Sequence, residues 1–246
     1  MRPAASTVRA AAAGFVLLVV LPGCETSAEK SARLEKQEES LPAEKGLKVS
    51  TLNPNVKVIR RAVLTDANGT AAVVTLRADG RAAMAGVPIA IDVRGAKRAA
   101  VFKNNEPGTE AALVSASVLA PGRDLTWVHD QVPLGDVKAT SVRVRVGEAK
   151  GKAPARLPEL KLSELKLTRD ATSGIEGVGK VTNSSTIEQR ILTMFAVARR
   201  GGKIVAAGRA VVRKLKPGKT ARFSVFFIGN PLGAKVSVAA PPTVLG

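Results

Sequence analysis

The chain holds one histidine and one cysteine among its 246 residues. The histidine, His129, stands in Trp127-Val128-His129-Asp130. An imidazole beside a carboxylate is the core of an acid–base pair, and a serine held against it would complete a set for acyl transfer. No Gly-x-Ser-x-Gly elbow is present to hold such a serine. His129-Asp130 is therefore read as a local turn hydrogen bond, and no catalytic residue is assigned. Metal sites built on imidazole or thiolate need two or more such ligands, so neither a metal nor a cofactor is expected. Gly218-Lys219-Thr220 ends like a phosphate-binding loop, but Arg213 stands where the first glycine of that motif belongs. It is read as a turn.

The lone thiol has a different chemistry open to it. Arg2 and Arg9 open the chain, an uncharged and largely apolar stretch runs from Ala11 to Leu21, and Leu21-Pro22-Gly23-Cys24 closes it. A positive start, an apolar middle and a small residue before a cleavage point are the parts of a secretory signal peptide. The apolar stretch is short of the roughly 20 residues that span a bilayer. Leu21, Gly23 and Cys24 resemble the bacterial lipobox. That resemblance implies cleavage before Cys24 and a diacylglycerol on its thiol, hence membrane lipid as a partner. Two acyl chains, at about 0.8 kcal/mol per buried CH₂, hold firmly where one is marginal. The expected location is lipid-anchored in the cell membrane or outer membrane, facing outside the cytoplasm. Residues 24–46, rich in Glu, Lys and Ser, are expected to form a disordered tether.

The formal net charge is +18, from 38 Lys and Arg against 20 Asp and Glu. Six acids and six bases lie before Leu47, so the whole excess belongs to residues 47–246. The densest run of bases includes Arg199, Arg200, Lys203, Arg213, Lys214, Lys216 and Lys219. These seven are the candidate contacts to an anionic surface. Nucleic acid is not expected, because single-strand platforms stack bases on aromatic rings and the chain has six Phe, one Trp and no Tyr. Anionic envelope polymers, lipid headgroups or an envelope protein remain, with simple solubility as the alternative role for the charge.

The elements that would carry these residues read as β-strands. Turn dipeptides recur at Asn68-Gly69, Asp79-Gly80, Pro107-Gly108, Pro121-Gly122, Gly201-Gly202 and Pro217-Gly218. Strands are predicted at 56–64, 71–77, 87–93, 98–102, 111–119, 123–129 and 137–146. A second set is predicted at 160–167, 174–181, 190–198, 203–215, 219–227 and 234–239. In Val142-Arg143-Val144-Arg145-Val146 the valines are expected to face inward and the arginines outward. The expected class is all-β: a signal peptide over 1–23, the tether, an immunoglobulin-like sandwich over 47–148, a linker over 149–158 and a second sandwich over 159–243. Leu119-Ala120-Pro121-Gly122-Arg123 and Leu215-Lys216-Pro217-Gly218-Lys219 mark a repeat, each leading into an alternating strand that carries Trp127 or Phe223. Pro-Gly at the centre of a four-residue turn suits type II geometry.

The second half carries Gly179-Lys180-Val181-Thr182-Asn183-Ser184-Ser185, then Phe195-Ala196-Val197-Ala198-Arg199, Gly202-Lys203-Ile204-Val205, and Leu215 to Gly218 ahead of Phe223-Ser224-Val225. These residues resemble the FxLYD-type domain, a small immunoglobulin-like module of exported prokaryotic proteins, with Ala198 and Arg199 replacing the motif's Tyr and Asp. The resemblance covers roughly 160–243 and implies a fold and an exported setting, not a reaction. The function expected is a non-catalytic binding or scaffolding module at the envelope. The alternative is an accessory subunit or weak enzyme acting on envelope material, with a cleft near 149–157 as the place to look.

Overall fold

In a computed structural model of the chain, the described residues are 46–135, 137–170 and 174–246. The motif residues Leu21, Gly23 and Cys24, with the signal peptide and all of the tether except Gly46, lie outside them. The described residues are almost wholly β. The first half contains β1 Val56–Asp66, β2 Gly69–Ala78, β3 Met84–Arg94, β4 Ala100–Lys103, β5 Ser115–Leu119, β6 Asp124–His129, β7 Ser141–Val146 and β8 Gly151–Lys152. The second contains β9 Leu160–Asp170, β10 Gly174–Asn183, β11 Gln189–Arg200, β12 Lys203–Leu215, β13 Thr220–Phe226, β14 Ile228–Gly229 and β15 Lys235–Ala239. Ala111–Val114, expected to begin a strand, instead forms one helical turn, α1, before β5. The stretch 149–158 carries β8, which pairs with the start of β3 at Met84 and Ala85.

The named strands pair antiparallel with one another, and the pairing repeats between halves. β2 lies between β1 and β6, as β10 lies between β9 and β13. β3 pairs with both β5 and β7, as β11 pairs with both β12 and β15. The Pro-Gly turns sit at matching places, ahead of β6 and β13. Gly122 and Gly218 have φ of 66° and 68°, the positive values a type II turn requires of its third residue. Each turn closes with a bond to its first carbonyl, Arg123 N–H to Ala120 O at 3.4 Å and Lys219 N–H to Lys216 O at 3.1 Å.

The alternation of β7 is as expected: Val142 and Val146 are buried, and Arg143 and Arg145 are exposed. β2 and β11 behave differently. Every residue of β2 from Thr70 to Leu76 is buried, and so is every residue of β11 from Leu192 to Ala198. Burial of successive residues means that both faces of a sheet are covered. Ala72, Val74 and Leu76 face the β3 sheet, while Ala71 and Val73 face the β11 sheet. Phe195 and Val197 of β11, with Ala207 and Ile228, accordingly belong to the same continuous core as the first half. Leu192, Met194, Ala196 and Ala198 point the other way, into a second core with Val181, Phe223 and Val225. The sheets thus stack in four layers within one compact unit, Glu44–Gly246. The β3 sheet covers the β2 sheet, which covers the β11 sheet, which covers the β10 sheet.

Polar ties reinforce the central junction. Asp130 accepts from the Arg209 Nε–H at 2.6 Å and from its backbone N–H at 3.1 Å, and the Arg209 side chain is only 5% exposed. Asp66 accepts from the Gly229 N–H at 2.7 Å.

The motif that suggested a domain family is structural in origin. A Cβ on Gly179 would lie 2.7 Å from Cζ of Phe223, so glycine lets the ring lie flat on β10. Asn183 is fully buried. Its Nδ2 donates to Ile187 O at 2.8 Å and Leu215 O at 3.0 Å, and its Oδ1 accepts from Ser185 N–H and Oγ–H at 3.0 and 2.7 Å. Asn104 does the same work in the first half, bonding Ile89, Ile91 and Leu113 from a buried position.

Candidate functional site

The His129 reading is corrected by the structure. His129 is 1% exposed, and neither ring nitrogen has a hydrogen-bond partner among the described residues. Its ring packs edge-on against Phe102 and Trp127, with centroids 5.2 and 6.0 Å away. The turn bond expected of the pair is absent because strand alternation sends the two side chains to opposite faces: Asp130 turns to Arg209, and His129 into the first core. Burial, helped by the Arg209 charge and opposed by Asp130, lowers its pKa from 6.5 to about 4. A neutral imidazole among aromatics is a core residue here. Among the described residues no group of three or more His, Cys, Asp or Glu gathers to hold a metal ion. No helix among them is long and apolar enough to cross a membrane.

The seven candidate bases do not form one patch. Arg199, Arg200 and Lys203 stand at the β11–β12 hairpin, while Arg213, Lys214, Lys216 and Lys219 lie at the other end of β12. With 13 residues in β12, the ends are about 40 Å apart. The second group is exposed and makes no ion pair among the described residues. Arg200 donates to Leu232 O.

Arg199 alone turns inward, into a cleft of about 530 Å³ where the edges of the β2 and β11 sheets meet. Register explains how this cleft is built. Arg60 of β1 pairs with Thr75 of β2, which pairs with Thr126 of β6. The three therefore form a row across one sheet, on the face turned to β11. Opposite them Val197 pairs with Ser237, one inward-facing step before Arg199 on β11. Across the gap, the Arg199 guanidinium donates to Thr126 Oγ1 at 3.0 Å and Ser237 Oγ at 3.2 Å. Thr126 and Thr75 share a hydroxyl–hydroxyl bond of 3.0 Å. Arg60 donates to Gly202 O. Asp124, at the rim, is held by Arg77 through two bonds of 2.6 and 3.0 Å. Burial, with the nearby Arg60 charge, lowers the pKa of Arg199, and Asp124 opposes this.

No family model and no curated protein matches the chain. The site is therefore argued from its own residues. Arg60, Thr75 and Thr126 were missed by sequence reasoning. Thr75 had a signal: it is the one hydroxyl within the apolar run Ala71-Ala72-Val73-Val74-Thr75-Leu76. The stretch near 149–157, where a cleft was expected, lies against β3 through β8, and its Lys150 lines a cavity of about 570 Å³ with Leu47, Lys48 and Glu106, apart from the cleft of Arg199.

Proposed function

We propose that this chain is an exported lipoprotein, held in the cell membrane or outer membrane by an acylated Cys24. Its two immunoglobulin-like sandwiches, the second of the FxLYD type, serve as a non-catalytic binding or scaffolding module at the bacterial cell envelope. The observation that carries this reading is the placement of the chain's single cysteine directly after an apolar stretch, in Leu21-Pro22-Gly23-Cys24. The β body supports it. A stacked β framework is stiff and presents loops and strand edges, and its exposed bases at Arg213, Lys214, Lys216 and Lys219 suit anionic envelope material, at about 1 kcal/mol per base near an anionic bilayer.

The test is metabolic labelling of bacteria expressing the full chain with an alkyne-tagged palmitate, then fractionation and mass measurement. The expected result is a labelled mature protein beginning at Cys24 in the membrane fraction, and an unlabelled Cys24→Ser variant. An unlabelled chain with residues 1–23 intact in the cytosol would overturn the reading.

A further inference from the structure

The geometry points to the cleft between the β2 and β11 sheets as a binding site for an oxyanion group, a phosphate or carboxylate carried by an envelope ligand, held by Arg199 and Arg60. The inference deepens the binding-module reading and is independent of the anchor.

Three observations carry it. The first is an excess of positive charge. Of the charged side chains lining the cleft, Arg60, Arg199 and Asp124, only Asp124 is negative, and it is engaged by Arg77. Arg60 and Arg199 make no ion pair among the described residues. Arg60 is exposed, but the Arg199 guanidinium is half-buried with no carboxylate bonded to it, which is costly unless something supplies more negative charge.

The second is donor chemistry. Guanidinium groups have hydrogens to give and no lone pairs to accept with. Ser237 already accepts from Arg199, so its own O–H is left to donate. Thr126 accepts from Arg199 and shares one hydrogen with Thr75, so one of these two hydroxyls also keeps a free O–H. The row therefore offers donors from both walls and calls for a ligand rich in acceptors. Phosphate and carboxylate are such ligands, and a planar guanidinium binds either in a fork.

The third is construction. The Arg60–Thr75–Thr126 row is fixed by strand register, and Arg199 is held from both sides, so the donors are set in place before a ligand arrives. Buried Phe195 and Val197 form the floor, which lowers the local dielectric and strengthens each contact.

The test uses the full chain in nuclear magnetic resonance titrations with inorganic phosphate and with acetate, at constant ionic strength set by chloride. The amide cross-peaks of Thr126 and Ser237 are monitored. Saturable shifts at millimolar anion are expected, weakened at least tenfold in both Arg199→Gln and Arg60→Gln and unchanged in Arg143→Gln, at an exposed position of β7 outside the cleft. Arg60 is exposed, so its variant keeps the fold and remains informative if Arg199→Gln does not. Tighter binding of phosphate assigns a phosphate-bearing ligand, and tighter binding of acetate a carboxylate-bearing one. Shifts that stay linear in both anions, or that Arg143→Gln weakens as much as Arg60→Gln does, would overturn the site. An unacylated Cys24 would remove the anchor and leave these titrations unchanged.

Discussion

Replacing His129 with leucine should make the protein less sensitive to acid. The wild-type imidazole has a pKa of about 4 in the folded chain against 6.5 for the ordinary group. Below pH 6.5 the unfolded chain therefore binds a proton that the folded chain refuses. Stability from this group is complete above pH 6.5 and falls as the pH drops, down to about 4. Linkage between these two values gives a loss of about 2 kcal/mol at pH 5 and almost none at pH 7.5. Leucine has similar volume and nothing to protonate, and it removes two buried nitrogens that have no partner among the described residues. Urea unfolding can be tracked by the emission of Trp127, the only tryptophan, which is fully buried with its Nε1–H donating to Ala112 O at 2.7 Å. Stability differences between His129→Leu and wild type should shift in the variant's favour by about 2 kcal/mol between pH 7.5 and pH 5. Curves that run parallel across that range would refute the reasoning, because any acid loss would then come from other groups.

Three further substitutions test the framework. Asp130→Ala leaves the buried Arg209 with only Glu110, at 3.5 Å, and should cost about 3 kcal/mol in chemical denaturation. Asn183→Ala strips bonds from Ile187, Leu215 and Ser185 together and should also cost about 3 kcal/mol. Asn68→Ala, at the exposed β1–β2 turn, should lie within about 0.5 kcal/mol of wild type.

Local patterns made the all-β class legible. Turn dipeptides and alternation placed β12 and the Pro-Gly turns well, because each depends on neighbours along the chain, whereas β7 begins at Ser141 and not at residue 137 as expected. The helical turn at Ala111–Val114 escaped because a four-residue run of small and aliphatic side chains has no period of its own. The burial of β2 on both faces was written in its unbroken apolar run, but a run says that something covers the strand and not what does so. The cleft lay deeper still. Arg60, Thr75 and Thr126 become neighbours through two strand registers, and Thr126 lies 51 residues from Thr75. Arg199 stood out only as one base among seven, and nothing local distinguished the one that turns inward.

The contact of unlike sheets at the middle of the stack makes the peptide between the halves mechanically redundant. Exposed Lys152 and Arg156 offer tryptic cleavage points in that stretch. Scission there would leave two polypeptides co-eluting as one particle, clasped by Phe195, Val197 and the Arg209–Asp130 pair. Only denaturant would then part them, so a nicked molecule could retain its cleft long after its chain was no longer continuous.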